Sequence, residues 1–267
     1  MSAKVITITS GKGGVGKTTV TANLSTALAM MGKKVVAIDS DIGLRNLDVV
    51  MGLENRIVYD LVDVVEGRCR LRQAMIRDKR FPELHLIPAA QTRDKMAVSP
   101  SDMIAAADKL RPEMDYIIID SPAGIERGFR NAVAPADTVL IVTNPEVSAV
   151  RDADRIIGIL EAEEKQAPRL IVNRLKPTMV ARGDMLSVGD ILDILAIELI
   201  GIVPEDEAIL VSTNRGSPVA MSATNSTSAS QAFRNIAMRL DGQEIPFLDL
   251  TAKNSFMDRL RQWVSGR

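Results

Sequence analysis

The sequence predicts an α/β protein built on a doubly wound, mainly parallel β-sheet flanked by helices, and three observations lead there. Seven short apolar, β-rich runs recur at residues 5–9, 35–39, 84–88, 116–120, 138–143, 170–173 and 199–203. Stretches with apolar residues three and four apart lie between them. A glycine-rich octapeptide, Gly11-Lys12-Gly13-Gly14-Val15-Gly16-Lys17-Thr18, joins the first run to the first such stretch. This alternation is the pattern of parallel strands crossed over by helices, and runs that are apolar throughout are strands buried on both faces.

The first run, Val5-Ile6-Thr7-Ile8-Thr9, feeds the octapeptide, and an amphipathic helix opens at Thr19. Its apolar stripe is Val20, Leu24, Ala27, Leu28 and Met31, stopped by Gly32. Ligands of such sheets bind beyond the carboxyl ends of the strands, so the residues that follow each run are the ones to inspect. Asp39-Ser40-Asp41 follows the second, Asp120-Ser121-Pro122-Ala123-Gly124 the fourth, Asn173-Arg174 the sixth and Pro204-Glu205-Asp206 the seventh. After the fifth run, Arg151-Asp152-Ala153-Asp154-Arg155 leads a helix whose Ile156, Ile159 and Leu160 face inward. A polar Ser/Thr/Ala/Asn tract at 222–230 reads as a loop or helix start without chemistry, before a helix carrying Phe233, Ile236 and Leu240.

The expected organisation is one large α/β domain over 1–242, a polar linker over 243–254 and an amphipathic helix over 255–267. In that last segment Phe256, Met257, Leu260, Trp263 and Val264 fall on one helical face, with Arg259, Arg261 and Gln262 on the other side or its flanks. A short terminal helix with such a face ordinarily packs on its own protein. The polar segment before it and a tryptophan flanked by arginines favour a membrane interface instead. Burying the five side chains offers on the order of 5–10 kcal/mol before the cost of ordering the helix, so one copy binds marginally. Two copies held together would gain avidity of about 10²–10⁴. Asp258 weakens the electrostatic part of that attraction.

Composition excludes several classes. The 267 residues carry 33 Lys and Arg against 34 Asp and Glu, a balance that argues against a nucleic-acid binder. One cysteine allows no disulfide and no paired-cysteine cluster, and a reducing, cytosolic setting is expected. No leader segment and no membrane span is expected, since the first strand begins at once and no apolar run approaches 18 residues. A lone His85 within Glu83-Leu84-His85-Leu86-Ile87 and the unpartnered Cys69 read as structural.

The octapeptide fits Gly-x4-Gly-Lys-[Ser/Thr] in full, so it is a phosphate cradle for a nucleoside triphosphate. Backbone N–H groups and a helix N-terminus meet the phosphates, Lys17 reaches the β- and γ-oxygens, and the Thr18 hydroxyl ligates Mg²⁺. The rival reading takes Gly11-x-Gly13-x-x-Gly16 and Asp39 as a dinucleotide fingerprint. That pattern needs neither Lys17 nor Thr18 at fixed spacing, and the triphosphate reading is preferred. Lys12 has no phosphate left to serve in its own loop.

Residues 12–18, with 39–48, 120–126, 143–146 and 151–155, resemble the deviant Walker A ATPases, and within them the septum-site branch of bacteria and plastids. The likeness runs along nearly the whole chain. It implies a P-loop NTPase of the SIMIBI type that hydrolyses ATP to ADP with Mg²⁺ as cofactor and forms an ATP-dependent homodimer, Lys12 of one subunit crossing to phosphates held by the other. It implies that Asp41 orients or deprotonates the attacking water, and that Asp120, ending an apolar strand as a Walker B acid does, joins Thr18 and Asp41 around the metal. Asp39 is open between a strand-end cap and a catalytic role. Gly11 through Thr19 would bind the nucleotide, with Asn173, Pro204, Glu205 and Asp206 around the adenine. Asp152 would meet partners, a MinC-like division inhibitor and a MinE-like activator, on a cytoplasmic protein held peripherally at the inner membrane. The alternatives carried are a flagellar-placement ATPase of the same family and a ParA-like DNA-partition ATPase. An iron–sulfur carrier is excluded by the single cysteine.

Overall fold

The computed structural model of the protein describes residues 2–165, 168–222 and 227–250. Its strands are β1 (Lys4–Thr9), β2 (Val35–Asp39), β3 (Ile76–Arg77), β4 (Leu84–Ile87), β5 (Tyr116–Asp120), β6 (Thr138–Thr143), β7 (Arg169–Leu175) and β8 (Glu198–Pro204). They form one sheet in the order β3-β4-β2-β5-β1-β6-β7-β8. All seven predicted runs are strands and run parallel. The eighth, the edge strand β3, pairs antiparallel with β4, Ile76 opposite Leu86. Two residues are too short to show a period in the sequence.

The period of two sorts the sheet's side chains into two layers. Ile6, Ile8, Ala37, Ile118 and Leu140 face helices Lys17–Met30 and Ser228–Leu240. Val5, Ile38, Ile117 and Ile119 face helix Pro100–Leu110, and Val139, Ile141, Leu170 and Val172 face helices Val147–Ala162 and Val188–Leu195. Each such side chain, buried to the last few per cent, contributes about 1.5–3 kcal/mol.

Helix Lys17–Met30 differs from the expected amphipathic stripe, being buried on every side from Val20 to Ala29. It lies between the sheet and helix Ser228–Leu240, and its small residues allow that approach. Most of its buried polar side chains find partners, Asn23 Nδ2 donating to the Thr19 carbonyl and Asn23 Oδ1 accepting from the Ala220 N–H, both within 2.9 Å, while Ser25 Oγ is buried without one.

Of the segment expected to link domain and tail, residues 243–250 lie against the domain. The Arg239 guanidinium donates to the carbonyls of Ile245, Ile200 and Pro246, and stacks 4.2 Å from the centre of the Phe247 ring. Leu248 and Leu250 pack against the core. The candidate membrane residues Phe256, Met257, Leu260, Trp263 and Val264 lie outside the described residues. Among the described residues, no helix is long and apolar enough to cross a membrane.

The chain leaves β1 toward β2 on one side of the sheet, and leaves β6 toward β7 and β8 on the other. This reversal opens a crevice at the carboxyl ends of β1 and β6, where the octapeptide sits.

Candidate nucleotide site

The loop is shaped by what surrounds it. Gly16 holds φ at +100° as the residue before helix Lys17–Met30, and a Cβ there would lie 2.4 Å from Asn173 Nδ2. A Cβ on Gly11 would lie 2.3 Å from the backbone oxygen of Asp152, so the loop is pressed against helix Val147–Ala162. Gly13 is under no such pressure, its nearest neighbour being the Ala123 methyl at 3.9 Å. Val15 is buried and anchors the loop, while Gly13 and Gly14 stay exposed at its crest.

Lys17 is 8 % exposed, and its Nζ donates to Ser10 Oγ at 3.0 Å. Burial lowers its pKa, and the nearby carboxylates of Asp120 and Asp41 pull the other way. Asp120 is buried at the end of β5, beside Asp39 at the end of β2 in strict register. It accepts from the Thr21 hydroxyl at 2.9 Å, with the Thr18 hydroxyl close by. Burial, and next the neighbouring Asp39, push the Asp120 carboxyl above the usual carboxylate range, against the two threonines and Lys17. Asp39 is also raised by burial, although it accepts three backbone N–H groups, from Asp41 at 3.0 Å, Asn46 at 3.2 Å and Leu47 at 3.1 Å. Its geometry is that of a cap which holds the Asp41 loop in place.

Asn173 lies within β7 rather than after it. Its Nδ2 donates to the Val15 carbonyl at 2.7 Å, while its buried Oδ1 has no hydrogen-bond partner. Pro204 ends β8 one strand over, the Glu205 N–H donates to the Leu175 carbonyl, and the Asp206 carboxylate caps helix Glu207–Asn214 through the Ala208 N–H. Thr19 gives its carbonyl to Asn23. The Asp152 side chain is 32 % exposed, 3.8 Å from Arg155. The structure thus gathers residues 11–19, Asp41, Asp120 and Asn173 around one crevice, with Asp152 on its outer wall.

Sequence reasoning passed over Ser10, Thr21, Glu146 and Ser148. Ser10 holds Lys17, Thr21 holds Asp120, and Glu146 and Ser148 hold Lys12, whose Nζ lies 3.2 Å from each. Ser10 carried a signal, as a polar residue directly after an apolar strand and before the glycine loop; Thr21, one of several polar residues in its helix, carried none. His85 is half-buried on β4 and Cys69 half-buried against the core, both away from the crevice.

The residues fit a magnesium nucleotide. The loop has no space for side chains at Gly11 and Gly16, an unused acceptor waits at Asn173, and two buried acids sit beside a threonine hydroxyl. No group of three or more His, Cys, Asp or Glu converges among the described residues. Mg²⁺ takes few protein ligands and completes its shell with phosphate and water.

A phosphate loop with two lysines, set at the switch point of a parallel sheet and facing a strand-end acid, defines a P-loop ATPase of the deviant Walker A class. A family model described as an AAA domain matches residues 3–172. The chain is 56 % identical to the septum site-determining protein MinD of Synechocystis over 264 residues, covering 98 % of this chain and 99 % of that one. Its fold is similar to that in a MinC:MinD cell division protein complex from Aquifex aeolicus, with TM-score 0.85, 53 % identity, and 92 % and 99 % of the two chains covered. It is also similar to a septum site-determining MinD complexed with Mg-ADP from Pyrococcus horikoshii, with TM-score 0.80, 32 % identity and 90 % and 96 % coverage. The chain belongs to the MinD family of septum-site-determining ATPases.

Proposed function

We propose that this chain binds ATP with Mg²⁺ in the crevice, dimerises in that state, hydrolyses ATP to ADP, and places the division septum by bringing a MinC-like inhibitor to the membrane. The observation that carries the reading is the buried group of Lys17, Asp39, Asp120 and Thr21 beneath a loop that still exposes its crest and a second lysine.

In this reading the loop N–H groups from Gly11 to Thr19 cradle the phosphates, and Lys17 exchanges Ser10 for the β- and γ-oxygens. Thr18, Asp41 and Asp120 would hold Mg²⁺. The ion would supply charge neutralisation between the β- and γ-phosphates. Asp41, positioned by the Asp39 cap, orients the attacking water and takes its proton. Asn173 Oδ1 accepts from the exocyclic amino group of adenine, which guanine lacks at that position, and the 204–206 turn flanks the base. Lys12 crosses to the other subunit and adds a cation where charge gathers in the transition state. The ATPase domain covers 1–242, and the helix at 255–267 presents Phe256, Met257, Leu260, Trp263 and Val264 to anionic lipid once two copies are paired. Asp152 and a MinE-like activator complete the cycle at the outer wall of the crevice.

Co-sedimentation with anionic liposomes, using ATP and then ADP, with the full chain and a chain ending at residue 254, tests this. ATP-dependent binding that is lost on truncation is expected, as is recruitment of MinC to the pellet by the full chain only. Binding to nonspecific DNA in place of lipid would replace this reading with the partition reading.

A further inference from the structure

The chain does not leave the domain where its last described helix ends. Helix Ser228–Leu240 stops near the amino ends of β7 and β8, where residues 242–247 share a groove with Arg169 and Glu198, the first residues of those strands. Leu248 and Leu250 instead line an apolar cleft with Leu175, the last residue of β7, and with Val180 and Ile202. Residues 242–250 therefore run along the edge strand β8 from its amino end toward its carboxyl end, the side of the sheet that holds the nucleotide crevice. One side chain fastens this course midway. Arg239, in the last turn of the helix, donates Nη1 to the Ile200 carbonyl on the edge strand at 3.0 Å, and Nε and Nη2 to the Ile245 and Pro246 carbonyls at 2.8 Å. Its Cζ lies 4.2 Å from the centre of the Phe247 ring. Phe247 is 46 % exposed, so the ring is held on the guanidinium rather than in the core.

We propose that Arg239 and Phe247 are positioning residues for membrane attachment: they clasp residues 243–250 to the domain, fix at Leu250 the point where the tail departs, and so set how readily the second tail of a dimer follows the first onto lipid. This rests on the reading of residues 255–267 as the membrane helix. With the clasp closed, four residues, 251–254, separate the clasped chain from that helix; with it open, twelve do, 243–254. The open chain also starts from the far end of β8, whose seven residues span roughly 20 Å. Once one tail is bound, the local concentration of the other falls as about the −3/2 power of tether length. A tether about three times longer thus lowers it about fivefold. The affinity of a single tail is untouched, because the clasp lies outside the helix.

The test is co-sedimentation of the full chain with phosphatidylglycerol-containing vesicles, in a non-hydrolysable ATP analogue and Mg²⁺, for wild type, Arg239→Gln, Phe247→Ala and a chain with eight Gly/Ser residues inserted after residue 254. The insertion matches the open tether length without touching the clasp. Hydrogen exchange over 243–250 reports opening of the clasp and should quicken in both point variants. The lipid concentration for half-maximal binding is expected to rise about fivefold in Arg239→Gln and in the insertion, and about two- to fivefold in Phe247→Ala. Dimerisation without lipid, followed by sedimentation velocity, and the weaker binding of the ADP state through one tail should stay within about twofold. A merely structural role for Arg239 would lower the melting temperature without moving lipid binding. Unchanged exchange in Arg239→Gln, or an opened clasp with lipid binding as tight as wild type or tighter, overturns the proposal. So does a loss in the point variants that the insertion fails to reproduce, which would make Arg239 a lipid contact instead. Wild type that stays off lipid in the ATP state removes the membrane reading itself, so the two failures are distinguishable.

Discussion

Asp78 and Asp120 are each 2 % exposed at the end of a strand in the same sheet, and the chain treats them in opposite ways. Asp78, just after β3, is gripped by the residue two positions on: Arg80 Nη2 lies 2.6 Å from Oδ2, and Arg80 Nε lies 3.1 Å from Oδ1. The backbone N–H groups of Arg80 and Phe81 add to this. Burial pushes the carboxyl up, but Arg80 and the N–H groups outweigh it and leave Asp78 below the usual range. Asp120 has two hydroxyls and an acidic neighbour, and Lys17 bonds Ser10 rather than the carboxylate. Its pKa rises. A buried acid that the chain pairs by itself is a structural joint, and Arg80 extends this one to the carbonyls of Met51 and Gly216. A buried acid left short of a cation is where an outside cation belongs.

The largest effect that could break this contrast is catalytic. Asp120→Asn keeps the acceptor for Thr21 but removes the charge, and phosphate release should fall by about 10²–10³-fold. Retention of more than a tenth of the rate would detach Asp120 from the metal. Asp78→Asn should act on stability alone. Losing charge-assisted hydrogen bonds costs about 1.5–3 kcal/mol, or roughly 3–12 °C in melting temperature for a chain of this size. Its ATPase rate per folded molecule should stay within twofold, and a catalytic defect without a thermal one would refute the structural role.

These two aspartates also mark what could be read from the sequence. Asp120 was legible because an apolar run ended on it, and the carboxyl ends of such runs face the ligand. The joint at Asp78 was not. Asp78-Lys79-Arg80 reads as a solvated charge run, and only the turn that precedes β4 folds the guanidinium back onto the carboxylate. The phosphate loop was legible residue by residue, its spacing giving Lys17 to the phosphates and leaving Lys12 spare, yet nothing in its spelling names the groups that hold the two lysines, because these acceptors come from residues 10, 146 and 148. The same limit explains helix Lys17–Met30. Its own pattern showed one apolar stripe, and the helix that covers its other side begins some two hundred residues later.

The smallest effect differs in sign between the two sites. Asp120 has a folded pKa above its unfolded value, near 3.9, so its contribution to stability is fully present below that value and is lost as pH rises through the folded pKa. Asp78 has a folded pKa below that value, so its contribution is present above about pH 4 and is lost as pH falls through the folded pKa. In nucleotide-free protein, Asp120→Asn should therefore melt at or above wild type at pH 8 and lose that advantage toward pH 4.5. Asp78→Asn should melt below wild type at pH 8, with the gap narrowing as pH falls. ATP with Mg²⁺ should invert only the first comparison, because wild type gains binding energy that Asp120→Asn cannot. Thermal melts of the three proteins from pH 4.5 to 8, with and without nucleotide, read all of these signs. If both variants shift in the same direction at pH 8 without nucleotide, the acid at β5 is a second structural joint, and the site's cation has to be sought elsewhere in the crevice.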